Sequence, residues 1–149
     1  MRTLEEVKRE LVQQWLTKAD EDLGLSAFLV FENTSYLAAV GFHAQQAAEK
    51  YLKAFLVFKQ REFPKTHDLG KLLDLVASVD TVLSDSLQQI TYLSPFGVEF
   101  RYPGDYPNMS MEDARKALSM AELVRDSIVA ALANEERLIQ ITPATFLPE

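Results

Sequence analysis

One face of the second predicted helix, residues 36–59, carries side chains that can bind a phosphate or a carboxylate. The members of this face lie within roughly 80° of one another on a helical wheel, and they are His43, Gln46, Lys50 and Lys53. Two ammonium groups, an amide and an imidazole can donate several hydrogen bonds to one anion. The same arrangement is typical of a solvated face opposite a hydrophobic stripe, so the residues alone leave both interpretations open.

Basic residues are concentrated between Lys50 and Lys71, although the chain as a whole is acidic. This segment holds six basic residues against two acidic ones, a net charge of +4, whereas the chain of 149 residues has a net charge of −7. An even negative field would repel nucleic acid and anionic membranes, but a local basic segment favours one surface for an anionic partner. The alternative is that these basic residues balance the acidic helices of the same fold.

The string FRYPGDYP, at residues 100–107, gathers polar and aromatic side chains between prolines. Arg101 offers a planar fork that suits a phosphate, and Tyr102 and Tyr106 offer stacking faces or hydroxyl groups. The alternative is that the aromatic residues of this segment only close one end of the fold.

His67 follows Lys65 and Thr66 at the start of a predicted short helix. Its ring can donate to a phosphate, orient a neighbouring group or act as a general base, whereas local packing is the common role of such a histidine. The chain has two histidines, 24 positions apart, and no cysteine, so neither a metal site nor a cofactor is predicted. A Gly-rich phosphate loop and the Gly-x-Ser-x-Gly motif of serine hydrolases are both missing from the sequence.

Asp22 lies on the hydrophobic side of the first predicted helix, together with Trp15, Ala19 and Ser26. A carboxylate in such a position needs a partner because an unpaired buried charge is costly. We therefore expect an ion pair with Arg101 or with a lysine of another helix, and a role in the electrostatics of a pocket is the alternative.

Hydrophobic periodicity predicts an all-α fold with three long helices and two short ones, and no convincing strand. The long helices cover about residues 3–32, 36–59 and 111–138, and the short ones about 69–76 and 82–93. Residues 94–108 are expected to form a loop, and Ser110 with Asp113 resembles a capping box for the last helix. Short connections between helices then predict an up-and-down bundle.

The chain is predicted to form one domain over residues 1–141, followed by an irregular tail at 142–149. The first ten residues, MRTLEEVKRE, have charges where a signal peptide has an apolar stretch. The longest apolar runs are far shorter than the roughly 20 residues that cross a bilayer. A cytoplasmic protein is therefore expected.

Five strings of the sequence, spread over most of its length, carry a family resemblance. They are WLTKADEDLGLSAFL at 15–29, FHAQQAAEKYLKAFLV at 42–57, KTHDL at 65–69, RYP at 101–103 and DARKALSMAELVRDSI at 113–128. Together they resemble the HEPN family, the higher eukaryotes and prokaryotes nucleotide-binding domain. The second string is the most specific of the five, because its polar positions match as well as its hydrophobic stripe.

The resemblance implies a small up-and-down helical bundle that is usually a homodimer. Members of the family are often encoded beside a minimal nucleotidyltransferase in toxin–antitoxin pairs. Many of them carry an Arg-x(4–6)-His motif, which implies metal-independent RNA cleavage at a dimer cleft. Arg101 matches the arginine of that motif, but residues 106–108 are Tyr, Pro and Asn, and the histidine is missing.

The missing histidine favours a binding module over a nuclease, because cleavage of RNA without a metal needs a base and an acid. We therefore expect a nucleotide-binding or interaction module that acts with a nucleotidyltransferase partner, and Tyr106 is the hydroxyl that such a partner would modify. The residues expected to line its anionic site are His43, Gln46, Lys50, Lys53, His67, Arg101 and Tyr106. The alternatives are a ribonuclease with a degenerate motif, with Arg101, Tyr106 and His67 as weak catalytic candidates, and a non-catalytic dimeric scaffold.

Overall fold

Six α-helices and one 3₁₀ segment make up the part of the chain that this computed structural model describes, residues 1–98 and 108–139. The helices are α1 (Leu4–Phe31), α2 (Leu37–Phe58), α3 (Leu69–Ala77), α4 (Thr81–Ser86), α5 (Pro95–Val98) and α6 (Met111–Ile139), and the 3₁₀ segment is Gln88–Leu93. The predicted all-α bundle is confirmed. The three long predicted helices correspond to α1, α2 and α6.

The helices α1 and α2 form an antiparallel hairpin. The hydroxyl of Thr3 accepts a hydrogen bond from the backbone N–H of Glu6 and so caps the start of α1. After α1 the chain turns through Asn33, whose φ is 55°, a conformation that asparagine tolerates better than most residues. Hydrogen bonds between the two helices include those from Ser26 Oγ to the carbonyl of Val40 at 2.9 Å, and from the Tyr51 hydroxyl to Asp20 at 2.5 Å.

Helix α2 lies at the centre of the bundle, where α1, α3, α5 and α6 all pack against it. Small residues on its surface allow the neighbouring helices to approach closely. Those that are fully buried are Ala44, Ala47, Ala48 and Ala54, and α6 contributes Ala114, Ala117 and Ala121 in the same way. Larger side chains such as Tyr51 and Phe55 fill the space between them. The position of α2 explains why its polar residues matter, since each of them faces another element.

Helix α6 runs in the same direction as α2. Its start lies near the start of α2, where Met109 packs 3.3 Å from the Cβ position of Gly41, and its far end reaches Lys59, which pairs with Glu135 at 3.2 Å. The predicted capping box is present. The backbone N–H of Asp113 donates to Ser110 Oγ, and that of Ser110 donates to Asp113 Oδ2, both at 3.0 Å.

The helix predicted over residues 82–93 is instead divided into α4 and the 3₁₀ segment. The side chain of Gln88 donates to the carbonyl of Ser84 at 3.1 Å, and the Ser84 hydroxyl donates away from its own helix, to Leu73 O at 2.8 Å. Such side-chain bonds compete with the regular backbone pattern of a helix. The loop predicted at 94–108 also differs, because it begins with the short helix α5, in which Pro95 suits the first turn.

Two predictions fall outside the described residues. The irregular tail at 142–149 and the segment FRYPGDYP, which holds Arg101 and Tyr106, are not part of the described ranges. The domain boundary near residue 141 therefore stays a prediction. Within residues 1–98 and 108–139, no helix combines the length and the apolar character that a membrane span requires.

Candidate functional site

Glu49 lies at the centre of a polar cluster that joins α2 to the turn before α3. Its Oε1 lies 3.0 Å from Nδ1 of His67, and its Oε2 lies 2.8 Å from Nζ of Lys53. The carboxylate is buried, with 4% of the Glu49 side chain exposed, whereas 58% of the His67 side chain is exposed. The exposed imidazole ring of His67 is thus held in place by the buried carboxylate of Glu49. We call Glu49, Lys53, His67 and Gln45 the Glu49 cluster.

Lys53 is buried beneath two aromatic rings. Its ammonium lies 5.4 Å from the centroid of Trp15 and 5.7 Å from that of Phe63. Aromatic faces attract a cation, and an apolar surrounding strengthens its pairing with a carboxylate. Lys53 therefore neutralises Glu49 and fixes the carboxylate in one orientation.

Gln45 holds the backbone of His67 in place. Its Nε2 donates to the carbonyl of His67 at 3.1 Å, and its Oε1 accepts a hydrogen bond from Gln46 at 2.8 Å. Gly97 of α5 packs against the same amide, and a Cβ atom at Gly97 would lie only 2.9 Å from it. A larger residue at position 97 would therefore force the Gln45 amide to move. His67 is positioned at two points, its ring by Glu49 and its backbone by Gln45.

A second cluster with the same chemistry lies between α1 and α2. Asp22 accepts from Nδ1 of His43 at 2.8 Å and from Nζ of Lys50 at 2.5 Å. The ring of Phe42 meets that of His43 edge-on, with centroids 5.1 Å apart. The prediction that Asp22 forms an ion pair with a lysine of another helix is confirmed. We call Asp22, His43 and Lys50 the Asp22 cluster.

The predicted anion-binding face of α2 is thus divided between two clusters. The interpretation of this arc as a solvated face is wrong for Lys53, which is 6% exposed, because it is buried against Glu49. Lys50 and Lys53 both pair with a carboxylate rather than presenting an open charge. His43 and Lys50 share the carboxylate of Asp22, and His67 and Lys53 share that of Glu49. Gln46 is linked to the Glu49 cluster by its hydrogen bond to Gln45.

Sequence reasoning missed Glu49 and Gln45 as functional candidates. Both belong to the polar arc of α2, but a helical wheel does not show that α3 and α5 cover that arc. The signal that was available is the spacing of Gln45, Glu49 and Lys53, each four residues from the next, which places them in one row. Arg101 and Tyr106 lie in residues 99–107, beyond what the structure describes.

Among the ionisable groups of the described chain, Tyr51 has the pKa that departs most from its ordinary value. Burial, followed by the hydrogen bond and the negative charge of Asp20, raises the pKa of Tyr51 far above its ordinary value of 10.0. The phenol therefore stays neutral and acts as a donor within the α1–α2 hairpin. Among residues 1–98 and 108–139, no group of three or more His, Asp or Glu side chains is arranged to hold a metal ion.

Comparison with known proteins identifies the fold. Residues 12–132 match the family model of the HEPN domain. The crystal structure of TT1696 from Thermus thermophilus superposes with a TM-score of 0.65 at 23% identity, covering 80% of this chain and 96% of that one. The structure of ST0689, an archaeal HEPN homologue, superposes with a TM-score of 0.63 at 19% identity, covering 81% and 97%. No curated protein matches this chain.

Proposed function

The chain belongs to the HEPN domain family, and from that premise we propose that it is a nucleotide-binding module whose ligand contacts His67. The observation that carries the proposal is the exposed His67 ring, held through Nδ1 by the buried Glu49. A side chain that only filled space would not need a buried charge behind it. A ring that must meet a ligand in one orientation benefits from such support.

The surface around His67 supports an anionic ligand. Lys65 and Lys71 flank His67, both are exposed, and within the described chain neither forms an ion pair. Lys50 and Lys53 contribute differently, because their charges are already balanced by Asp22 and Glu49. A nucleotide phosphate would therefore meet the exposed lysines first. The lysines of α2 instead balance the carboxylates that bind His43 and His67.

The test is a titration of the full chain with ATP. We expect the double variant Lys65→Ala, Lys71→Ala to lose most of the affinity, and His67→Ala to lose about tenfold, the effect of leaving one hydrogen-bonding group of the ligand unpaired. Lys18→Ala is the matched control, since Lys18 is an exposed lysine of α1 outside this surface. Equal affinity in all four proteins would show that the site is misplaced. Absence of ATP binding by the wild type would overturn the function itself.

Arg101 and Tyr106 belong to the same proposal as the residues that complete the ligand site. The resemblance to HEPN members of toxin–antitoxin pairs supports a minimal nucleotidyltransferase as the partner, with the hydroxyl of Tyr106 as the group that it modifies. Mass spectrometry of the chain after co-expression with a nucleotidyltransferase encoded beside it tests this. A nucleotidyl adduct that disappears in Tyr106→Phe supports the pairing, and an unmodified wild type contradicts it.

We also propose that the module is a homodimer. HEPN domains often dimerise, and large apolar side chains are exposed around the end of α1 and the start of α2. They are Leu25, Phe28, Phe31, Tyr36 and Phe42. Exposed apolar groups in this number favour an interface. Light scattering should show a dimer that the double variant Phe28→Ser, Phe31→Ser dissociates, while Leu4→Ser at the other end of α1 leaves it intact.

A metal-independent ribonuclease is the second candidate. The observation in its favour is that a histidine supported by a buried carboxylate is the arrangement that general bases use. His67 would take the proton of a ribose 2′-hydroxyl, whose oxygen bonds to the adjacent phosphorus as the P–O5′ bond breaks, and the 5′-oxygen would take a proton from water. Arg101 would stabilise the charge on the phosphorus oxygens. Labelled RNA incubated in EDTA tests this candidate. Cleavage by the wild type that is lost in both His67→Ala and Arg101→Ala would rank the nuclease above the binding module.

A further inference from the structure

The two ring nitrogens of His67 have different surroundings, and this difference determines which kind of ligand group His67 can bind. Nδ1 lies 3.0 Å from Glu49 Oε1. An ionised carboxylate offers only acceptors, so the nitrogen that meets it must carry a hydrogen. In the neutral ring the other nitrogen, Nε2, then has a free lone pair. Within the described chain nothing bonds to Nε2.

The other partners of Glu49 are hydrogen-bond donors as well. An ammonium and an amide NH₂ have only donors, so Oε2 of Glu49 accepts from Lys53 at 2.8 Å and Oε1 accepts from Gln45 at 3.4 Å. The rings of Trp15 and Phe63 cover Lys53 and exclude water from the pair. The buried carboxylate therefore has three partners, Lys53 on Oε2, and His67 together with the amide of Gln45, at 3.4 Å, on Oε1.

We propose that Glu49 is a positioning residue that holds the proton of neutral His67 on Nδ1 and so presents Nε2 to the ligand as a hydrogen-bond acceptor. This proposal rests on the proposed nucleotide-binding function. Its consequence is that His67 recognises a hydroxyl group of the nucleotide sugar, a donor, at a pH where the ring is neutral. The phosphate, which is an acceptor, is left to Lys65 and Lys71.

The Asp22 cluster supplies a matched control within the same chain. Nδ1 of His43 bonds to Asp22 as Nδ1 of His67 bonds to Glu49. Lys50 pairs with Asp22 as Lys53 pairs with Glu49. In Glu49→Gln the amide oxygen should turn to Lys53, which has only donors, and the amide NH₂ should then face Nδ1 of His67. The proton of the neutral ring should therefore move to Nε2. Asp22→Asn should change His43 in the same way and leave His67 unchanged.

Long-range proton–nitrogen NMR spectra of the labelled full chain, at roughly pH 9 where a free imidazole is neutral, report which nitrogen carries the proton. His43→Gln assigns the two rings. We expect wild-type His67 with the proton on Nδ1, and a change to Nε2 in Glu49→Gln but not in Asp22→Asn. A wild-type His67 ring with the proton on Nε2 overturns the proposal, and this outcome does not depend on the folding of Glu49→Gln.

Titration with ATP and with 2′,3′-dideoxy-ATP, which lacks the sugar hydroxyls, tests the ligand class. At the same pH the wild type should bind ATP about tenfold more tightly, the effect of leaving one acceptor unpaired, and His67→Ala should bind the two equally. Equal binding by the wild type overturns the assignment of the hydroxyl. If neither nucleotide binds, both the proposed function and the assignment of the sugar hydroxyl are rejected. The NMR result still decides the role of Glu49.

Discussion

Asp22 and Glu49 each join one histidine and one lysine, and in both cases the histidine is bound through Nδ1. The distances to the histidines are 2.8 and 3.0 Å, and those to the lysines are 2.5 and 2.8 Å. The two clusters differ mainly in burial, since the Lys50 side chain is 24% exposed and that of Lys53 is 8% exposed. Because the same pairing occurs in two environments, the effect of burial on the contribution of an ion pair to stability can be measured within one chain.

Lys53→Met should destabilise the protein strongly, because it leaves Glu49 buried without its cation. The expected loss is about 3 kcal/mol in the free energy of unfolding. Lys50→Met is the matched control, and its loss should be about 1 kcal/mol, because Lys50 and Asp22 are partly exposed and screened by water. Urea denaturation of the three proteins measures both values. The double variant Glu49→Gln, Lys53→Met should recover much of the loss, and equal losses in the two single variants would contradict the role of burial.

The helices could be predicted from the sequence because they depend on local periodicity, whereas the clusters depend on contacts between elements. The three long helices and the capping box of Ser110 and Asp113 follow from residues close together in the chain. The ion pair of Asp22 was predictable in kind, since a carboxylate on a hydrophobic side needs a cation. Its partner Lys50 was not, because 28 residues separate the two.

The Glu49 cluster was harder to predict for the same reason. On a helical wheel Glu49 and Lys53 belong to a polar arc, and nothing in their spacing reveals that the turn at His67 lies over them. Gln45 is fully buried because α5 returns to α2 at Gly97, more than 50 residues further along the chain. Local pattern therefore identified the polar residues of α2, but not their burial or their pairing.

Gly97→Ala should perturb the support of His67. The added Cβ would lie 2.9 Å from the side-chain amide of Gln45, which donates to the His67 carbonyl. We expect a loss of about 1–3 kcal/mol in the free energy of unfolding, typical of overpacking. The NMR signals of the His67 ring should shift as well.

Gly24→Ala is the control for that substitution. Gly24 lies inside α1 with nothing within 4 Å of its Cβ position. Alanine has the higher helix propensity, so this variant should gain about 0.5–1 kcal/mol and leave the His67 signals unchanged. A destabilised Gly24→Ala, or an unperturbed Gly97→Ala, would contradict the packing described for these two positions.

Tyr51→Phe should lower stability by about 1 kcal/mol near neutral pH, because Asp20 loses the hydrogen bond but can turn to water. The pKa of Tyr51 is raised in the folded protein, chiefly by burial. The unfolded chain ionises this tyrosine above pH 10.0 while the folded chain does not, so its contribution is complete below that pH and is lost as the pH rises further. The stability advantage of wild type over Tyr51→Phe should therefore shrink in alkaline urea titrations. A difference that is independent of pH would contradict the burial of an ionisable hydroxyl.

Asp113→Asn should show the opposite pH dependence. Hydrogen bonds from the backbone and side chain of Ser110 lower the pKa of Asp113 from its ordinary value of 3.8. A lowered pKa means that the ionised form stabilises the fold above pH 3.8 and that this stabilisation is lost as the pH falls below it. The variant should therefore be less stable than wild type near neutral pH, and the difference should shrink as the pH falls below 3.8.

Ser110→Ala separates the charge of Asp113 from the cap itself. The Ser110 hydroxyl accepts from the backbone N–H of Asp113 whatever the charge of the carboxylate, so its removal should cost about 1 kcal/mol near neutral pH, and part of that loss should remain in acid. Urea titrations of the wild type and both variants, at neutral and acidic pH, give the comparison. If the Asp113→Asn difference persisted in acid as the Ser110→Ala difference does, then the carboxylate would act by its shape rather than by its negative charge at the start of α6.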